Sequence, residues 1–191
     1  MAGKDELRAG FTARRARLTV DDRDRASARL VAHLTSSPVL LDATVTVAAY
    51  VPVGAEPGSV ALLDALRGHG CTVLLPVVPS GPPAALDWVH YDAPDSLARG
   101  RFGLLEPTGP RVGVDAISDA DAVFVPALAV ARTGVRLGRG AGYYDRSVAG
   151  VAGALIGIVY DHELVDDLPA DAYDVPMGWA LTPGGGFTLL R

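Results

Sequence analysis

The chain reads as an α/β protein: a three-layer α/β/α domain on a mostly parallel central sheet, led by two helices. Three observations predict this. Apolar, β-branched runs at 44–50, 71–76, 121–128 and 154–160 have the length and composition of buried strands. A helical stretch at 60–67 separates the first two, giving the strand–helix–strand rhythm of parallel pairing. The 191 residues contain no internal repeat or linker, which suits a single domain over 1–191. A chain of that size buries roughly 70% of its unfolded surface without a metal or disulfide.

Each element has its own reason. Residues 4–18 form a helix, with Leu7, Phe11 and Leu18 as an apolar stripe among arginines. Thr19, followed three residues later by Asp22, is a capping pair. It opens a second helix that runs to about Leu34 and stops before Pro38. The period then changes to a strand at 44–50 and a turn at 54–59. A helix at 60–67 follows, with glycine just after it. The strand at 71–76 opens on Cys71, read as a small core residue. Residues 85–91 make a further strand with an edge position. The turn-rich stretch 92–120 suggests no element. A buried strand at 121–128 ends in a glycine-rich segment, and a helix begins at about Tyr143. The strand at 154–160, a short strand near 179–182 and a glycine turn at 184–186 complete the chain.

Composition excludes several classes. Net charge is −5, which argues against a nucleic-acid-binding face. No apolar run approaches the ~18 residues of a membrane span. The first fifteen residues carry charges throughout and lack a signal-peptide core. One cysteine permits no internal disulfide and fits a reducing interior. The expectation is a soluble cytoplasmic protein, monomeric by default, with neither nucleic acid nor membrane as partner. Of the 17 basic residues only Lys4 is lysine, and Arg132, Arg136, Arg139 and Arg146 form a basic island in an acidic chain.

That island carries the chemistry. The strand ending at Leu128 leads to Gly138, Gly140 and Gly142, and a helix starts just beyond them. Glycines let backbone N–H groups approach an anion, and a helix start adds free donors. Arg136 and Arg139 bring guanidinium forks suited to phosphate oxygens. Asp145 sets a carboxylate beside that anion site, where Mg²⁺ reconciles the like charges. The spacing is neither the Gly-Lys-Ser/Thr phosphate loop nor the dinucleotide fingerprint. The four histidines, 33, 69, 90 and 162, show no ligand spacing. Trp88 and Trp179 read as core residues before stacking platforms.

The block Arg136-Leu-Gly-Arg-Gly-Ala-Gly-Tyr-Tyr-Asp145, preceded by Val-Pro-Ala-Leu at 125–128, resembles the signature of the 5-formyltetrahydrofolate cyclo-ligase (methenyltetrahydrofolate synthetase) family. Lys4 and Arg8, Glu56, the Phe-Gly-Leu-Leu-Glu-Pro run at 102–107 and Asp174 are similar to further elements of it. The resemblance implies a NagB/RpiA/CoA-transferase-like fold. It also implies ATP- and Mg²⁺-dependent closure of 5-formyltetrahydrofolate to 5,10-methenyltetrahydrofolate, with release of ADP and phosphate. It assigns Lys4, Arg8, Arg136, Leu137, Gly138, Arg139, Gly140, Ala141, Gly142, Tyr143 and Tyr144 to ATP. It assigns Val51, Glu56, Arg139, Gly140, Ala141, Gly142 and Tyr143 to the folate, and Asp145 and Asp174 to the metal. Glu56 suits the pterin, because a carboxylate accepts two parallel N–H bonds.

The chain departs from the family pattern at four places. Val130-Ala131 replace a usual Phe-Asp, Ala141 stands where Gly or Lys is common, Gly178 replaces a frequent Asp, and Tyr173 a frequent His. Two other readings stand beside the ligase: a folate- or nucleotide-sequestering relative, and another phosphate-handling enzyme of the same fold. The second needs an isomerase base or a nucleophilic glutamate in another loop, and neither is evident.

Overall fold

A computed structural model describes residues 3–99 and 105–191. Its centre is a seven-stranded sheet ordered β12-β11-β9-β6-β1-β2-β3. Here β1 is Thr46–Ala48, β2 Thr72–Val77, β3 Asp87–His90, β6 Ala122–Pro126, β9 Ala154–Ile158, β11 Trp179–Thr182 and β12 Gly186–Leu189. The five inner strands run parallel, and the two edges, β3 and β12, are antiparallel. A hairpin of β4 (Leu97–Arg99) and β5 (Leu105–Pro107) lies in the stretch that sequence left unassigned. Of the 102–107 run, Leu105, Glu106 and Pro107 form β5, and Phe102, Gly103 and Leu104 fall outside the described residues.

Alternation along the inner strands splits the core between two faces. Val47, Val73, Leu75, Phe124, Ile156 and Ile158 point to one side. There they meet Leu30 of α2 (Val20–His33) and Leu62, Leu63 and Leu66 of α3 (Val60–Gly68). Ala48, Leu74, Trp88, Val123 and Val125 point to the other side. This second layer is thinner than the strand–helix rhythm suggests. Its cover is a 3₁₀ turn at Val114–Asp119, the short α4 (Tyr143–Ser147) and neighbouring loops. α2 starts as expected: the Thr19 hydroxyl accepts the Asp22 N–H at 3.1 Å, and the Asp22 carboxylate accepts the Thr19 N–H at 3.0 Å.

A small second sheet is the main feature absent from the sequence reading. β7 (Ala129–Ala131) pairs antiparallel with β8 (Arg136–Leu137) and parallel with β10 (Leu164–Val165). The glycine-rich segment therefore follows a hairpin arm, not the central strand directly. α1 (Lys4–Arg15) packs on this arm: Phe11 meets Leu128, Ala129, Ala131, Leu137 and Leu168. The last glycine turn also leads into a strand, β12, beyond where the sequence reading stops.

Candidate active site

From β1 the chain steps outward to β2, while β6 lies on the other side of β1. Loops leaving the carboxyl ends of β1 and β6 therefore diverge, and the crevice between them is where open parallel sheets bind ligands. A cleft of about 860 Å³ lies there. Its wall gathers four distant pieces of chain: Lys4 and Arg8; Val51 and Glu56; every residue from Arg136 to Asp145; and Asp174. All of the sequence-predicted site residues thus share one cavity. Neither tryptophan and none of the four histidines lines it. Trp88 is fully buried in the core on one face of the sheet, and Trp179 is partly buried against the core on the other.

The glycine segment is held from its carbonyl side. Arg8 Nε donates to the Gly138 carbonyl at 3.0 Å. Arg146 Nη1 donates to the Ala141 and Gly142 carbonyls at 2.9 and 2.8 Å. Among the described residues, no backbone N–H from 138 to 142 donates to a protein acceptor. Gly140 and Gly142 have φ of +100° and +69°, a region that favours glycine. The helix beyond is only five residues long, so few peptide dipoles align behind this loop. The N–H groups without protein acceptors are therefore those of the loop itself, where sequence looked partly to a helix start.

Arg136 backs the loop from below. It is buried, with Nη2 2.8 Å from Asp145 Oδ2, Nη1 donating to the Pro126 carbonyl at 3.3 Å, and Nε without a partner. A side chain at position 138 would place its Cβ 2.7 Å from Arg136 Nη1, so glycine there makes room for the guanidinium. Tyr144 lies beside it, the guanidinium carbon 5.9 Å from the ring centre. Burial, and then the nearby Glu56, push the Tyr144 phenol well above its ordinary pKa. Tyr143 and Tyr144 pack against the core face behind the loop, and Leu137 is buried under α1.

Each acidic site residue has a cationic partner. Glu56 Oε1 lies 3.0 Å from Arg139 Nε and 2.9 Å from Nη2, and Oε2 accepts the Val53 N–H at 2.9 Å. Lys4 Nζ bridges Asp171 and Asp174 at 2.7 Å each. Burial works against the Lys4 ammonium, yet its hydrogen bonds to Asp171 and Asp174 hold its pKa above the lysine norm. Burial likewise opposes the Asp174 carboxylate, but Lys4 and the Asp171 N–H hold its pKa below the usual range. Sequence gave no signal for Asp171 as a second partner of Lys4, nor for a buried pair behind the cleft, Arg15 with Glu163.

Mg²⁺ binds commonly through one or two carboxylates plus substrate phosphates. No cluster of three His, Cys, Asp or Glu side chains suited to a resident ion occurs among the described residues. Asp145 and Asp174, single carboxylates on the same cleft as the loop, fit an ion that arrives with a polyphosphate.

Fold and cleft together define an α/β protein with a glycine-rich loop, its amides without protein acceptors among the described residues, at the switch point of its sheet. The sequence pattern of the 5-formyltetrahydrofolate cyclo-ligase family matches residues 1–183. The chain belongs to that family and is an enzyme of the ligase class. It is 50% identical over 151 residues to the 5-formyltetrahydrofolate cyclo-ligase of Mycolicibacterium smegmatis, covering 76% of this chain and 77% of that one. The Escherichia coli K12 cyclo-ligase is 29% identical over 153 residues, covering 78% and 83%. The solved 5,10-methenyltetrahydrofolate synthetase of Aquifex aeolicus superposes with a TM-score of 0.81 at 32% identity, covering 98% of this chain and 93% of that one. The Mycoplasma pneumoniae synthetase, at 22% identity and a TM-score of 0.70, shares the fold over 94% and 98%. No described helix is long and apolar enough to cross a membrane.

Proposed function

We propose that the cleft uses ATP to close 5-formyltetrahydrofolate to 5,10-methenyltetrahydrofolate, releasing ADP and phosphate. The observation that carries this reading is the run of unpartnered N–H groups from 138 to 142, inside the cleft that also holds Glu56. A polyphosphate supplies acceptors for those donors, and a pterin amide supplies N–H groups for the carboxylate.

The formyl oxygen is a poor leaving group at neutral pH. The γ-phosphoryl group moves to it: the bond to the ADP oxygen breaks and a new O–P bond forms. The N10 lone pair then attacks the activated formyl carbon. The C–O bond breaks, the oxygen leaves within phosphate, and the N10 proton departs with it. The protein's work is alignment and charge compensation. Loop amides and Arg139 receive the charge spreading over the transferred group, Lys4 and Arg8 hold the outer phosphates, and Arg136 fixes the loop from behind. Glu56 orients the pterin, with Val51 as an apolar wall. Asp145, with Asp174 once Lys4 turns to phosphate, would hold Mg²⁺, which supplies neutralisation of the polyphosphate when bound.

The ion pairs also support an exchange of partners on binding. Arg139 and Lys4 hold carboxylates that the other ligands need. Phosphate oxygens that draw these cations away free Glu56 for the pterin and Asp174 for the metal.

The test is growth of the near-ultraviolet absorbance of the methenyl product from purified protein and 5-formyltetrahydrofolate. Growth that requires both ATP and Mg²⁺, and stops with EDTA, supports the reading. Folate binding without turnover would replace it with a sequestering role.

A further inference from the structure

Arg15 lies on the same side of α1 as Lys4 and Arg8, since spacings of four and seven residues return to one face of a helix. Unlike them it is buried, with 5% of its side chain exposed, in the wall of the cleft. Its fork grips Glu163: Nε to Oε1 and Nη2 to Oε2, both at 2.7 Å. Nη2 also donates to the carbonyl of Ala127, just beyond β6. Glu163 is fully buried, and its Oε2 accepts the Tyr160 N–H at 2.9 Å, just beyond β9. The Arg15 guanidinium carbon lies 5.6 Å from the Tyr160 ring centre. The Tyr160 hydroxyl in turn donates to the carbonyl of Ala55 at 3.3 Å, one residue before Glu56.

One side chain therefore ties the helix bearing Lys4 and Arg8 to the ends of two central strands. Through Tyr160 it reaches the turn that bears Glu56. A buried ion pair is a poor source of stability, because an apolar pair of similar volume holds a core as well or better. What the pair provides that packing does not is direction: the fork fixes two partners, the Glu163 carboxylate and the Ala127 carbonyl, at set angles. We propose that Arg15, locked by Glu163, is a positioning residue that sets the phosphate-binding face of α1 against the pterin-binding turn. This rests on the function proposed above, in which formyl oxygen and γ-phosphate must meet in line.

Positioning and scaffolding make different predictions. Replacing both partners (Arg15→Met with Glu163→Met) removes the fork without stranding a buried charge. The double variant should keep its circular dichroism and bind ATP alone and folate alone within about threefold of wild type. Its kcat should nevertheless fall by roughly tenfold or more, because alignment of the two ligands is lost. A folded double variant with wild-type kcat overturns the proposal. So does one in which each ligand's affinity falls as far as kcat. Should the double variant not fold, Arg15→Lys keeps the charge without the fork and must show the same kcat-selective loss; wild-type kcat there is again fatal to it. Wild-type protein assayed alongside separates the two readings: if it makes no methenyl product, the function itself fails, and not this role alone.

Discussion

Arg139 and Glu56, 83 residues apart in sequence, form an ion pair in the cleft: the arginine is 64% exposed and the glutamate only 10%. The carboxylate is fixed on its far side by the Val53 N–H, while the guanidinium is held on this side by nothing else among the described residues. Of the two, Arg139 is the partner free to leave.

That asymmetry predicts coupled binding. A non-hydrolysable ATP analogue should tighten 5-formyltetrahydrofolate, and the folate should tighten the analogue by the same factor. Arg139→Ala should abolish the coupling and cut turnover by roughly tenfold or more. Calorimetric titration of each ligand with and without the other checks it; independent affinities in the wild type would remove the exchange from the mechanism.

Asp145 neutralises a buried arginine at 2.8 Å. Asp145→Asn should raise the Mg²⁺ concentration needed for half-maximal turnover. It should also destabilise the free protein by on the order of 2 kcal/mol, the scale of a charged hydrogen bond. Metal titration and thermal melts check the two effects separately, and an unchanged metal titration would withdraw Asp145 as a ligand.

At Gly142 a side chain would meet Arg146 Nη1 at 2.6 Å, and the residue sits at φ +69°. Gly142→Ala should displace the loop and weaken ATP binding by at least tenfold, while folate affinity without nucleotide changes little. Equilibrium binding of both ligands to the variant decides it.

The Lys4–Asp174 contact has a defined pH window. Asp174's folded pKa is lowered, so its stabilising contribution is present above the ordinary carboxylate value near ~3.9 and is lost as pH falls through the lower folded value. Lys4's folded pKa is raised, so its contribution is full below the ordinary lysine value near ~10.4 and is lost as pH rises through the higher folded one. The melting-temperature gap between wild type and Lys4→Met should therefore stay level across neutral pH and close only at the two extremes. A gap that closes near neutrality would mean the contact does not persist in solution.

Much of the fold was legible because its signals are local. Thr19 and Asp22 announce a helix start within four residues, and the inner strands are runs of buried apolar side chains. The second sheet was not, since β8 and β10 are two residues each and two residues carry no period. The same division holds in the site. The glycine block is contiguous and readable from Arg136 to Asp145, although that string could not tell that Arg136 lies beneath the loop. Arg15 and Glu163 are 148 positions apart, and only the packing of α1 on the hairpin arm brings them together.

That hairpin arm also imposes a rule of parity. Val130 faces Arg136 across the ladder and Ala129 faces Leu137, with a tight turn between in which Gly134 has φ +90°. Neighbouring strand residues point to opposite sides, so one inserted residue in the turn would exchange the two. Leu137 would then face the Asp145 carboxylate and Arg136 the apolar bed under α1. The turn works as a ruler: its length sets which side of the arm faces the cleft, and a change of one residue turns the glycine-rich loop inside out.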